Sequence, residues 1–195
     1  YAKSTVFLKT HNFCGAINNN RFTNSDLSEG FIYLVRDPRA VAVSFSNHTE
    51  ESIDQVIDSM ISNKPRYVLS GGYPSWYFNW KVNYSSWKNF LRKVSGMIIK
   101  YEDLFNENKF MEVAKLLDSL NIYKLDLIKF YKSINSVTFE NLSLLEKKYG
   151  FGESGKNKFF FKGRIDYWKK ILNSNQIDRI EKNLESEMKE LGYLS

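Results

Sequence analysis

The sequence predicts an α/β fold in three layers, with a central parallel sheet covered by helices on both faces. Two observations carry this reading. Short apolar runs rich in β-branched and aromatic residues, at 5–8, 31–35 and 96–101, alternate with segments of helical spacing, the pattern of right-handed βαβ units. After Tyr101 the chain reads as helical to its end apart from one loop, so the C-terminal part is helical. At 195 residues the chain is one domain able to bury a substantial core, and no repeat or low-complexity tract divides it.

Each element has its own signal. Thr5-Val6-Phe7-Leu8 reads as a short buried strand. Residues 12–30 are polar, with Asn18-Asn19-Asn20 and a cluster of Ser, Thr and Asp, and read as a loop. Phe31-Ile32-Tyr33-Leu34-Val35 reads as the next strand. Asp37 is then placed to cap a helix, and Pro38 suits the first helical position. Within 52–61 the apolar residues fall at 53, 56, 57, 60 and 61, which is amphipathic helix spacing. Residues 62–74 contain Pro65, Gly71, Gly72 and Pro74 and read as a loop. A long helix is predicted over 75–92. Its Trp76, Trp80 and Trp87 are read as core, Trp76 being the one best placed to line a pocket. A strand at 96–101 and a helix at 107–120 follow. A glycine-rich, cationic loop spans 150–163.

Composition narrows the class. Hydrophobic content of 43% and aromatic content of 16% fit a globular chain rather than a disordered one. Twenty-eight Lys and Arg against 22 Asp and Glu leave a net charge of +6, which suits an anionic ligand. The basic residues are scattered, so they argue for neither nucleic acid nor a membrane surface. Cys14 is the single cysteine, which rules out an intrachain disulfide and is compatible with a reducing, cytoplasmic setting; it reads as a small packing residue. No apolar run approaches the roughly 18 residues of a membrane span.

Residues 31–48 carry the most chemistry. A strand running into a helix N-terminus is a ready anion site, because the first N–H groups are unpaired and the dipole is positive there. Arg36 and Ser44 are suited to one phosphate, as a planar cationic fork and a hydroxyl. The residues alone leave a second reading equally open, in which Arg36 pairs with Asp37 or another carboxylate and Ser44 only packs.

This stretch resembles the 3′-phosphate-binding segment of the sulfotransferases that use 3′-phosphoadenosine 5′-phosphosulfate (PAPS). Four further motifs follow in that family's order. Lys9-Thr10-His11 resembles its Lys-Thr-His segment. Ser75-Trp76-Tyr77 through Trp80 and Trp87 resembles its Gly-Ser-Trp…Trp helix, and Tyr101-Glu102-Asp103-Leu104 its Tyr-Glu-Asp-Leu. Phe160-Phe161-Lys162-Gly163 through Trp168, with Gln176 and the closing Met188…Leu191-Gly192-Tyr193, resembles the C-terminal Arg-Lys-Gly…Trp-Lys segment. Together they span nearly the whole chain.

There are departures. The family's Tyr-Pro-Lys-Ser-Gly-Thr-Thr loop for the 5′-phosphosulfate is absent from residues 1–195. Tyr1-Ala2-Lys3-Ser4-Thr5 only echoes it, so a single domain truncated at its N-terminus is expected. Phe161 replaces the Arg of Arg-Lys-Gly, with Arg164 as a candidate substitute, and Asp166-Tyr167 replaces Gly-Asp. Val137-Thr138-Phe139 replaces Thr-Ser-Phe, keeping the hydroxyl and the aromatic ring.

The resemblance implies a sulfotransferase fold related to the P-loop nucleotide-binding proteins, with PAPS as donor and 3′-phosphoadenosine 5′-phosphate (PAP) as product. It implies His11 as the catalytic base and Lys9 as its assistant on the transferring group. It also implies Arg36, Ser44, Lys162, Gly163 and Arg164 around the 3′-phosphate, and Tyr101, Thr138 and Phe139 around the adenine. Chemistry agrees for His11, since a neutral imidazole just past a strand end can take a hydroxyl proton near pH 7. From the residues alone a loop histidine bonded to backbone is the stronger reading of His11, and the resemblance is what turns it toward the base; His48, at the end of the helix from Pro38, reads as capping or packing. No Cys pair, His pair or Asp-x-Asp cluster has metal-ligand spacing, so metal-independent transfer is expected. The acceptor expected is a hydroxyl of a small molecule, carbohydrate or lipid, or less readily an amine, and residues 12–30 and 62–74 are the candidate acceptor loops. Two rivals stand beside this reading. A non-catalytic nucleotide-binding or interaction module is favoured by the absent phosphate loop. A kinase on the related fold is disfavoured by the missing Walker lysine and Mg²⁺-binding carboxylates.

Overall fold

A computed structural model of the chain describes residues 6–64, 66–70, 73–77, 79–106, 109–119, 126–150, 157–160 and 165–195, with only the backbone of 66–70 and 73–77. Its frame is a parallel strand pair. β3 (Gly30–Val35) and β6 (Ser95–Lys100) run in register from Gly30↔Ser95 to Val35↔Lys100. In a parallel ladder, opposed residues share a face. Phe31 lies over Gly96, where any larger side chain would have to displace its ring. Phe31 and Tyr33 pack on Trp87, Phe90 and Val94, which belong to α3 (Trp80–Phe90) and the turn after it. α4 (Lys109–Ser119) lies against β6, whose Ile99 is buried. Ile32 and Leu34, on the opposite face of β3 from Phe31, remain 40% and 51% exposed.

A second core lies past the strand ends. α1 (Pro38–Thr49) begins as the sequence predicts: Asp37 caps it by accepting the Arg39 N–H, and Pro38 takes the first helical position. α2 (Ile53–Ile61) carries a reciprocal cap between Ser52 and Gln55. α7 (Ser174–Glu190) repeats the device with Asn173 and Gln176. Ala42, Val56, Ile57, Met60, Ile180, Leu184 and Met188 interlock at the meeting of these three helices. Fully burying each of the larger of these side chains contributes about 1.5–3 kcal/mol before entropy is counted. Between them in sequence, α5 (Leu127–Ser136) packs on α4 through Phe110, Phe130 and Tyr131, and α6 (Phe139–Tyr149) follows.

Four sequence expectations are corrected. Residues 6–8 form no strand: Val6, Phe7 and Leu8 are 72%, 68% and 87% exposed. An apolar run becomes a strand only when a neighbour takes up its ladder, and none lies beside it among the described residues. The loop at 12–30 contains a hairpin, β1 (Ala16–Ile17) and β2 (Asn20–Arg21). Asn18 and Asn19, both at positive φ, turn it, as the tightest hairpins require. The predicted loop at 62–74 holds β4 (Arg66–Ser70) and pairs it with β5 (Tyr73–Tyr77) in an antiparallel hairpin. The helix expected from 75 therefore starts only at Trp80. Asn79 caps it by accepting from the Val82 N–H, so Trp76 stands in a strand instead, its side chain outside the described residues. No helix among the described residues is long and apolar enough to cross a membrane.

Candidate functional site

Because β3 and β6 end in register at Val35 and Lys100, Arg36 and Tyr101 leave the sheet side by side. The Arg36 guanidinium lies over the Tyr101 ring, 4.3 Å from its centroid, and Phe105 packs on the same ring at 4.6 Å. Burial raises the pKa of the Tyr101 phenol; the nearby Arg36 charge opposes this without cancelling it. Arg36 Nε is buried and has no hydrogen-bond partner among the described residues. Asp37 does not take it. That carboxylate is held by Arg39, which donates from Nη2 at 2.7 Å and Nε at 3.0 Å. Of the two readings open for Arg36, pairing with Asp37 is thus absent. A buried donor left unpaired costs on the order of 1–3 kcal/mol, and an anion arriving at this edge removes that cost. The residues present therefore fit an anionic ligand.

Ser44 is exposed on α1, and its hydroxyl has no hydrogen-bond partner among the described residues. It lies six residues beyond Pro38, about 9 Å along the helix, and no hydrogen bond joins it to Arg36. One turn further, His48 packs edge-on to Phe159 at 5.9 Å and beside Phe45 at 6.2 Å, which is the packing role expected of it. Asn47 exchanges hydrogen bonds with the segment before Phe159: its amide donates to the Lys158 carbonyl, and its own carbonyl accepts from Asn157. This draws residues 157–160 onto the C-terminal turns of α1.

The same segment meets α6. Phe160 packs on Phe139 at 6.4 Å, and Glu146 accepts the N–H groups of Phe159 and Phe160. Thr138 caps α6, its hydroxyl accepting from the Asn141 N–H at 3.2 Å. Phe139 and Tyr101 make no ring contact with one another. Lys162, Gly163 and Arg164 lie outside the described residues, as does Phe161.

Lys9 and His11 are exposed and do not lie on a strand, so the alternation that placed them on one strand face does not apply. The His11 segment is instead fastened to α3 by three bonds. Asn83 donates to the His11 carbonyl at 3.3 Å, Trp87 Nε1 to the Asn12 carbonyl at 3.0 Å, and the Cys14 N–H to Ser86 Oγ at 2.9 Å.

Sequence reasoning missed the group that holds the strand ends. Glu102 Oε1 accepts the Asp37 N–H at 3.0 Å, and Tyr193 donates its hydroxyl to Glu102 Oε2 at 2.8 Å. Arg39 bridges Asp37, Glu181 and the Tyr193 carbonyl while lying over Trp168. Burial works against its charge, and the two carboxylates more than offset this. The one local signal was a charged residue following Pro38 in an otherwise apolar helix start.

A parallel strand pair covered by helices, with a buried Arg36 Nε at its strand ends that has no hydrogen-bond partner among the described residues, defines the class as α/β. The chain belongs to the sulfotransferase family, the model of the sulfotransferase domain matching residues 2–192. Among solved structures it is similar to mouse sulfotransferase SULT7A1 complexed with PAP, with a TM-score of 0.62 at 19% identity over 80% of this chain and 57% of that one. It is also similar to retinol dehydratase in complex with androsterone and the inactive cofactor PAP, with a TM-score of 0.68 at 18% identity over 97% of this chain. The chain spans 55% of the length of that second protein. No curated protein matches it by sequence.

Proposed function

We propose that this chain binds PAPS and serves the transfer of its sulfuryl group to a hydroxyl, or less readily an amine, of a small-molecule, carbohydrate or lipid acceptor. The observation that carries the proposal is the buried, unpartnered Nε of Arg36 beside Tyr101, at the strand end where the family resemblance puts the 3′-phosphate ligand. When bound, PAPS supplies the sulfuryl group and leaves as PAP. Arg36 gives the 3′-phosphate a planar pair of donors, and Ser44 adds a hydroxyl. Lys162, Gly163 and Arg164 complete that subsite. Tyr101, Thr138 and Phe139 frame the adenine. An imidazole nitrogen of His11 takes the acceptor's hydroxyl proton, and the Lys9 ammonium faces the charge that develops on the transferring group.

Calorimetric binding of PAP, with 5′-AMP as control, tests the reading. A clear preference for PAP that disappears in Arg36→Ala supports it. Equal affinity for both nucleotides, or a preference that Arg36→Ala leaves intact, overturns it.

A further inference from the structure

Glu102 is the second residue of the Tyr101-Glu102-Asp103-Leu104 motif, and the resemblance assigns a ligand role to Tyr101 but none to Glu102. It follows Tyr101 directly, and through Oε1 it accepts the N–H of Asp37, the amide of the peptide that joins Arg36 to Asp37. One carboxylate therefore spans the two strand ends that present Arg36 and Tyr101. Its second oxygen is held by the Tyr193 hydroxyl. Burial and the Glu102 charge both push the Tyr193 phenol's pKa up, so it stays protonated and keeps donating.

Tyr193 is itself held on three sides. Its N–H bonds back to the Met188 carbonyl at 2.8 Å in a tight turn at the end of α7, where Gly192 takes a positive φ of 72°. Its carbonyl accepts from Arg39 Nη2 at 3.0 Å. Its ring lies 5.6 Å from the Lys100 ammonium, which also donates to the Leu191 carbonyl. The turn after α7 thus touches the last residue of β6, the residue after Tyr101, and the start of α1.

We propose that Glu102 and Tyr193 are positioning residues of the nucleotide site: together they lock the Arg36–Asp37 peptide and Tyr101 in the mutual arrangement that the 3′-phosphate and adenine require. The inference rests on the nucleotide reading above. Neither side chain touches the ligand. Glu102 sets the direction in which Arg36 leaves the sheet, and Tyr193 fixes Glu102. Without the lock, the stack of Arg36 on Tyr101 loses its backbone support, and the cationic fork no longer waits in one orientation for a phosphate.

The test is the ratio of 5′-AMP to PAP dissociation constants in the full chain, measured by calorimetry well below the melting temperature of each variant. Tyr193→Phe removes only the hydroxyl. Glu102→Gln keeps an amide oxygen for the Asp37 N–H and serves should Tyr193→Phe fail to fold. The preference for PAP is expected to fall roughly tenfold in each variant, the size of one hydrogen bond to a charged group. The double variant should lose no more than either single one, because both act through one linkage. A drop in melting temperature with the PAP preference unchanged would show the linkage to be structural only and would overturn the proposal. Additive losses in the double variant would overturn the shared linkage. A wild-type chain without PAP preference would remove the nucleotide reading itself, a result distinct from both.

Discussion

Arg39 Nη2 donates to the Tyr193 carbonyl across 154 residues of sequence while the same guanidinium holds Asp37. Arg39 is 9% exposed and Asp37 6%, so the pair is buried and hydrogen-bonded on all sides. Removing one member leaves the other charge without compensation, which is far more costly than the pair's net contribution. Arg39→Met is expected to destabilise the chain by about 3–5 kcal/mol. Urea unfolding should show a lower midpoint with an unchanged slope. A midpoint within error of wild type would mean that Asp37 finds another partner.

His11→Ala should separate binding from turnover. Its side chain is exposed and its backbone is held by Asn83, so the segment keeps its place without the imidazole. PAP affinity is expected to stay at the wild-type value, while transfer from labelled PAPS to a panel of phenol, sugar and lipid alcohols falls about 10²–10⁴-fold. Undiminished transfer would mean that another group is the base.

Ile180 is fully buried where α1, α2 and α7 meet. Ile180→Ala should cost about 2–5 kcal/mol, through lost transfer energy and an unfilled cavity. Thermal unfolding followed by circular dichroism reads the loss directly, and a change below 1 kcal/mol would show that the three helices collapse onto the space.

Cys14 reports on how firmly its segment sits against α3. Burial raises its thiol pKa, partly opposed by the Lys93 charge. The folded chain therefore holds the thiol proton more tightly than the unfolded chain. Alkylation by iodoacetamide at neutral pH should be slower than in urea-unfolded chain, with its pH profile displaced upward. The sign for stability follows: above the ordinary thiol range the unfolded state ionises first, so this group's contribution falls as pH rises. Equal alkylation rates in both states would place the thiol in free solvent.

The parts of the fold legible in the sequence are those encoded locally. Asp37-Pro38 specifies a helix start by a side-chain acceptor and a fixed φ, and α2 declares itself by apolar spacing and the Ser52–Gln55 cap. Strands are less local. The apolar residues 6–8 had the composition of a strand but no ladder beside them, whereas β4 and β5 formed in a segment whose glycines and prolines read as loop. Asn18-Asn19 was visible turn chemistry, and only the short flanks hid the hairpin. Trp76 extended a helical spacing backward past the point where Asn79 caps α3. Arg36 and Tyr101 were legible as neighbours of strand ends because each directly follows an apolar β-type run. Glu102 and Tyr193 each stood in a motif, but their bond was not legible, because 91 residues separate them and nothing in the sequence pairs them.

The half-bare face of β3 has a colloidal consequence. Ile32 and Leu34 put two branched side chains into water from a sheet, and Val6, Phe7 and Leu8 add a further exposed apolar run. Such surfaces attract one another at short range, while a net charge of +6 holds copies of this chain apart at longer range. Added salt shrinks that repulsion to about 8 Å at 0.15 M and leaves the apolar attraction intact. This chain is therefore expected to disperse best in dilute buffer well below its isoelectric point of about 9.2, with light scattering rising as ionic strength rises.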